Sequence, residues 1–458
     1  MSRMRVLFAF ACLLTVAGVL LHNVPAEPAP AAQPASAWQV AATKLAATTG
    51  PTTASGKKVE LVFRQSDPPG EVEGLQKAVD KWNAANPNIQ VRMETVPWSD
   101  AQSQLVREVQ AGGGPDVVQV AFVWTRDLGR SGLLMDLTKR LKDDPPGKGL
   151  DDMLGGDLGE YDGRIYGVPW TVDTYVMAYR PDLFGKAGIT KFPDTWEEFQ
   201  AVAKKLTVDT NKDGRTDQYG FCFPAGSAGG GGMWFLANYY IWSNGKTFIQ
   251  QEADGKWKVG VTPEDVAAAM RYYQAFFKQG ITPESLIAIS SWGDPEIVGG
   301  IARGDCAMAW FPPGTFRAAQ KQSQVPLKTA PIPKGSVKRI SHLGGRTVAI
   351  TPHTKYPEEA WRFLKHLVSA DTFQTYNQFP AQKSLLDQLK FPEAEHGWVE
   401  QLPHAVTFKQ YISSPASVNS MWETTNREFG AMFSGQKTVA QASADLVKAM
   451  ANLLEGKK

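Results

Sequence analysis

Between Val59 and Val120, short apolar runs alternate with amphipathic stretches, and this alternation restricts the chain to a sheet assembled largely from parallel strands. VELVFRQS, beginning at Val59, reads as a strand. In the stretch that follows, Val72, Leu75, Val79 and Trp82 recur at helical spacing until Pro87 stops the helix. Ile89 to Val96 predicts a second strand, a helix continues through Leu105 and Val109, and Pro115 to Val120 predicts a third strand. Parallel neighbours require a crossover, and each helix supplies one. The expected fold class is α/β.

Three later helices announce their starts. Thr195 with Glu198 and Thr438 with Gln441 have capping-box spacing, and Thr262 precedes Pro263 at a first-turn position. The buried faces expected behind the first two of these caps in chain order differ: Phe199, Val202 and Leu206 follow Thr195, whereas Val266, Met270, Tyr273 and Phe277 follow Thr262, with Gly280 as the stop. The 458 residues, 43% hydrophobic, suffice for more than one core.

Lysine and arginine number 48 against 46 acidic residues. A balanced surface lacks the basic footprint of phosphate neutralisation, so nucleic acid is not an expected partner. Arg3 and Arg5, the apolar run Val6 to Leu21 and the small residues before position 27 predict a signal peptide over residues 1–26, cleaved in preference to an uncleaved anchor. Ala9-Phe10-Ala11 before Cys12 argues against lipidation. Residues 27–57, rich in Ala, Pro and Thr, read as a disordered tether. Cys222 and Cys306 form either one disulfide or two separate buried thiols.

Several chemistries find no machinery. Gly245-Lys246-Thr247 has Tyr240 where a phosphate loop needs its first glycine. The histidines lack zinc-ligand spacing, and no serine lies in a nucleophile elbow. Paired carboxylates for glycoside cleavage meet in space, so a secreted carbohydrate-active enzyme stays open as an alternative. Asp209, Asn211, Asp213 and Asp217 occupy positions 1, 3, 5 and 9 of a calcium-type loop, but position 12 is Gly220. The expectation is a structural calcium held weakly, or a turn whose side chains cap their own backbone. No other cofactor is required.

KAVDKWNAANPNIQV, PDVVQV followed by LGRSGLLMDLT, GVPWTVDTYVMAYRPDLF, KFPDTWEEF, DTNKDGRTDQYGF, IARGDCAMAW, APIPKG, GGRTVAI and YPEEAWRFLKHLVS occur in this order. With them the chain resembles family 1 of the extracellular solute-binding proteins, which deliver carbohydrates to ABC importers. The resemblance implies a two-lobed, periplasmic-binding-protein-like fold, each lobe a sheet flanked by helices, joined by a hinge crossed three times. It places an N-terminal lobe at 58–167 and 346–391, a C-terminal lobe at 168–345 and 392–458, and crossings near 168–170, 342–345 and 391–395. It implies no enzyme, a monomer on the outer side of the cytoplasmic membrane, and as partners a sugar and ABC permease subunits.

A sugar offers an apolar C–H face and a rim of hydroxyls, so it needs aromatic platforms and polar acceptors. The resemblance nominates Trp170, Asp173 and Tyr175 beside the first crossing, Gln65, Ser66 and Asp67 after the first strand, Phe122 and Trp124 after the third, and Trp422. Trp234 and Trp310 border expected cleft loops. Where many members have Gly-Pro-Trp, this chain has Phe311-Pro312-Pro313-Gly314. A non-sugar polar solute on the same scaffold is a further alternative.

Overall fold

The computed structural model describes residues 58–67, 69–227 and 232–456. The expected signal peptide and tether, and most of the glycine run before Gly232, lie outside the described residues. The first sheet has six strands in the order Phe379–Pro380, Val168–Asp173, Gly344–Ile350, β3 (Val117–Ala121), β1 (Val59–Gln65) and β2 (Ile89–Thr95). The β1 strand runs parallel to both β2 and β3. Gly344–Ile350 is antiparallel to β3 and to Val168–Asp173. The helices α1 (Pro69–Ala85), α2 (Trp98–Gln110) and α3 (Phe122–Arg130) follow the three parallel strands, as the alternation predicted.

Helix α1 packs its Leu75 and Val79 against Phe63 of β1 in a core shared with Trp170, Val348 and Phe363. The second lobe is organised around Val176–Tyr179, which pairs antiparallel with both Met308–Phe311 and Lys328–Ala330. Its central helix, Met233–Ser243, is buried on nearly every side, which suits an apolar segment with no polar face. Each of the three expected caps forms: Thr195 with Glu198, Thr262 with Asp265 and Thr438 with Gln441. Each leaves a first turn whose amide donors are satisfied.

One boundary needs correction. Val168–Asp173 was expected to open the C-terminal lobe at residue 168, but it is an inner strand of the first sheet, and the chain crosses at Thr174-Tyr175. Side chains decide this: Val168 and Trp170 point into the first core, and the Trp170 indole N–H donates to Leu367 O at 2.7 Å. The chain returns through Leu343, between Ser341–His342 and Gly344–Ile350. It leaves again after Phe379–Pro380, reaching the second lobe at Glu393–Glu395, where Thr329 donates to Ala394 O.

The lobes touch on both sides of the seam. On one side Arg317, from the helix Pro313–Gln322, grips Glu395 through two bonds of 2.9 and 2.7 Å and donates to Asn377 O of the first lobe. On the other, Lys409 Nζ meets Asp157 at 2.6 Å.

Cys222 and Cys306 are joined as a disulfide across a sequence separation of 84 residues, with Cα atoms 5.9 Å apart. The bond closes a long loop inside the second core, where it restricts the unfolded chain most. Replacing both cysteines by alanine should lower unfolding free energy by about 2–4 kcal/mol in urea titrations; an unchanged midpoint would show that packing alone holds the loop.

Candidate functional site

Ligand crevices in open α/β sheets lie beyond the carboxyl ends of parallel strands, and three such ends converge here. Beyond β1 come Ser66 and Asp67, beyond β2 comes Trp98 at the start of α2, and beyond β3 come Phe122 and Trp124 in α3. Trp98, 42% exposed, stacks on half-buried Trp124 with ring centres 4.9 Å apart. The guanidinium of Arg346 lies 5.5 Å from the Trp98 ring, within cation–π reach.

Arg346 is the centre of a polar cluster. Its Nε is 3.0 Å from Asp67 Oδ1 and its Nη1 3.6 Å from Asp173 Oδ2. Asp67 is fixed in place: Gln119 Nε2 donates to it at 2.8 Å, and the Tyr376 hydroxyl donates to its other oxygen. Gln119 in turn accepts from Ser66 N, and Gln65 accepts from Asp67 N. Burial acts to lower the Arg346 pKa, but the charges of Asp67, Tyr376, Asp173 and Glu71 outweigh it and hold the guanidinium above its usual range. Burial pushes the carboxyls of Asp173 and Glu71 up; Arg346 opposes this and the Asp67 charge adds to it.

The hinge glycines make room for this cluster. A Cβ on Gly344 would fall 2.2 Å from Asp173 Oδ1, and one on Gly345, whose φ is 148°, would fall 2.2 Å from Thr171 O. Opposite stands an aromatic wall from the second lobe. Tyr175, half-buried, contacts Trp310 edge-on at 4.9 Å, Phe235 at 5.1 Å and Trp292 at 5.6 Å, and Trp422 meets Phe235 at 4.9 Å. His342 lies behind Tyr175, 4.9 Å between ring centres, with its Nδ1 2.5 Å from the Tyr239 hydroxyl. Burial depresses the His342 pKa to about 3, so its ring is neutral at physiological pH.

Of the residues nominated from sequence, Ser66, Asp67, Phe122, Trp124, Asp173, Tyr175 and Trp422 come together around this seam, whereas Trp310 is fully buried in the second core behind Tyr175. Gln65 sits just beneath as a buried brace, donating to Thr95. Trp170 does not join them: it is 1% exposed and stacked on Tyr376 inside the first core. The alternation of strand side chains turns Trp170 inward while the strand end delivers Asp173 to the seam. Trp234 is likewise a core residue, fully buried among Phe248, Phe408 and Tyr411.

The loop at Asp209 is a self-capped turn in this structure. Asp209 accepts from the backbone N–H of Lys212 and Gly214, Asn211 from Asp213 N, Asp213 from Arg215 N, and Asp217 from Thr210 N. Among the described residues no group of three or more His, Cys, Asp or Glu side chains is arranged to hold a metal ion.

Sequence reasoning passed over Trp98, Glu71, Phe235, Trp292 and Arg346. Trp98 was accessible to it, because a tryptophan directly after a parallel strand falls on the crevice side. The others reach the seam only through packing of distant segments.

Two substitutions separate core from seam. Trp170→Ala should cost about 3–5 kcal/mol of stability, as loss of a core indole does; a variant as stable as wild type would place that ring elsewhere. The neutral, buried His342 makes a second expectation. Between pH about 3 and 6.5 the unfolded chain binds the proton that the folded chain refuses, so stability rises with pH in that window and falls on acidification. Relative to His342→Gln, the wild type should lose stability at a rate approaching about 1.4 kcal/mol per pH unit below 6.5. Parallel slopes for the two proteins would refute the buried neutral ring.

Comparison with known proteins agrees with this geometry. Over 315 residues the chain is 24% identical to the diacetylchitobiose-binding protein DasA of Streptomyces coelicolor, covering 63% of this chain and 66% of that one. It is 23% identical over 415 residues to the galactooligosaccharide-binding protein of Bacillus subtilis, covering 88% and 90%. In structure it matches the GacH receptor of Streptomyces glaucescens with a TM-score of 0.71 at 21% identity, over 88% of this chain and all of that one. A solute-binding protein of Thermotoga lettingae also gives 0.71, at 20% identity, over 87% of this chain and all of that one. At such identities the likeness of structure speaks for the fold, which is two-lobed. The family model for bacterial extracellular solute-binding proteins matches residues 66–372, about two thirds of the chain, and this protein therefore belongs to that family of binding proteins, not of enzymes.

Proposed function

We propose that this protein captures a sugar or oligosaccharide between its lobes and hands it to the permease of an ABC importer. The observation that carries the reading is the pairing across one seam of an aromatic wall, Tyr175, Phe235 and Trp422, with a strip of polar groups centred on Arg346. Rings stack on the C–H face of a pyranose while carboxylates and the guanidinium take its hydroxyls. Names of relatives that bind diacetylchitobiose and galactooligosaccharides point the same way.

The mechanism is capture without reaction. The lobes open about the three crossings, a guest contacts both, and its contacts with both favour the closed form that a permease recognises. Inverting a population from about 1:99 to 99:1 requires roughly 5.5 kcal/mol of differential binding, which a few stacked rings and charge-assisted hydrogen bonds supply. The protein acts as a monomer on the outer face of the cytoplasmic membrane, carried there by the signal at residues 1–26. Among the described residues no helix is long and apolar enough to cross a membrane.

A thermal-shift screen of mono- and oligosaccharides tests the reading. A ligand at 100 times its Kd should stabilise the protein by about 2.7 kcal/mol, and Tyr175→Ala or Trp124→Ala should abolish most of that gain. Release of shorter sugars from any oligosaccharide by the purified protein would overturn capture in favour of catalysis.

A further inference from the structure

We infer that the second lobe carries a further ligand site, outside the cleft, that takes an acidic oligosaccharide. The inference stands apart from the capture reading: it concerns different residues, and what the cleft holds does not bear on it.

A cavity of about 880 Å³ opens between the end of the central helix Met233–Ser243, the hairpin of Ile249–Gln251 and Trp257–Val259, the loop before Ile340, and the segment from Val406 to Ser413. Its size falls within the range of about 300–1,000 Å³ usual for small-molecule sites. Its walls are pinned to one another. Behind Thr247 lies the buried Tyr411, whose hydroxyl accepts from Trp242 Nε1 at 3.0 Å, donates to Asn238 Oδ1 at 2.6 Å and stands 3.1 Å from the Thr247 hydroxyl. Gln410 Nε2 donates to that same hydroxyl at 2.8 Å. On the loop side, the N–H groups of Val337 and Lys338 both donate to Ser243 O, at 3.0 and 3.1 Å, and Ser336 N donates to Asn244 Oδ1 at 3.0 Å. Four segments far apart in sequence are thereby held as one frame, which is what a binding hollow requires.

Charge gives the first indication of the guest. Lys246, Lys338 and Lys409 line the cavity, and among the described residues no carboxylate does. Lys409 is committed to Asp157 at 2.6 Å. The acids of the flanking segments are engaged elsewhere: Glu252 holds Lys258 at 2.6 Å and Asp254 holds Lys256 at 2.8 Å. Asp265 accepts from the N–H and the hydroxyl of Thr262 and feels Lys246 through its charge alone. Two ammonium groups are thus left to the cavity.

Apolar surface gives a second, independent indication. Val337 is 63% exposed and Val406 39%, two of the five large apolar side chains left exposed among the described residues, and both line this cavity beside the half-buried Trp257. Exposed apolar surface gathered at a hollow marks a contact site. Between the two kinds of group come the amides of Gln250 and Gln251 and the hydroxyls of Thr407 and Ser413. The indole and the valines suit the C–H faces of a sugar, the amides and hydroxyls its rim, and the ammonium groups its carboxylates. A small inorganic anion would leave the apolar surface bare, and a neutral sugar would leave both lysines to water.

The test uses the purified protein with an α-linked trimer of galacturonate, the galactose trimer of the same linkage, hexa-aspartate and pyrophosphate, measured by calorimetry. The galacturonate trimer should bind about tenfold more tightly than the neutral trimer at low salt, and that advantage should shrink at high salt because both lysines are exposed. In the double variant Lys246→Gln, Lys338→Gln the ratio should fall to about one, and Trp257→Ala should weaken both trimers. Tyr175→Ala, which acts on the cleft, should leave the binding of the galacturonate trimer as it is. Loss of that binding in Tyr175→Ala with retention in the lysine variant would place the acid in the cleft and overturn the second site. Equal affinity for the two trimers, or no binding of the acidic one, would overturn it as well. Hexa-aspartate or pyrophosphate binding as tightly as the galacturonate trimer would overturn the saccharide class. None of these outcomes touches capture in the cleft, which stands or falls on the screen described above.

Discussion

The strand Gly344–Ile350 is the constraint on which the rest of the molecule depends. It comes back from the second lobe and inserts between β3 and Val168–Asp173, hydrogen-bonded to both. Because two crossings are thus embedded side by side in the first sheet, the lobes cannot separate without bending backbone at Thr174-Tyr175 and Leu343. The same insertion brings Arg346 onto the edge where the parallel strands end. Hinge and candidate site therefore share one piece of backbone, and a guest that bridged Asp173 and Tyr175 would act directly on a crossing.

Much of this was legible from the chain. Alternating apolar runs gave the parallel part of the sheet, and a threonine followed by a capping-box partner or a first-turn proline gave the caps, because both signals are local. Strand periodicity could also have separated Trp170 from Asp173, since residues three apart on a strand lie on opposite faces; treating the stretch as one ligand-facing unit hid this. The antiparallel half of the sheet was not legible, because its strands come from 168, 344 and 379 and only tertiary packing joins them. Arg346 was hidden for the same reason. Nothing within GGRTVAI announces that its arginine will find Asp67, almost three hundred residues earlier.

The aromatic content reads differently once folded. Most rings of the second lobe serve its core, as the rings around Met233–Ser243 show, and only those at its rim, such as Tyr175 and Trp422, are half-exposed. A tryptophan in such a chain is thus weak evidence of sugar contact until its neighbours are known.

Gly344 and Gly345 carry a consequence for how a chain of this design can diversify. With any side chain at either position colliding with Asp173 or Thr171, the pivot is closed to experiment. New nutrients must be accommodated by exchanging rings and polar groups on the flanking walls. Mechanics stay fixed while taste drifts.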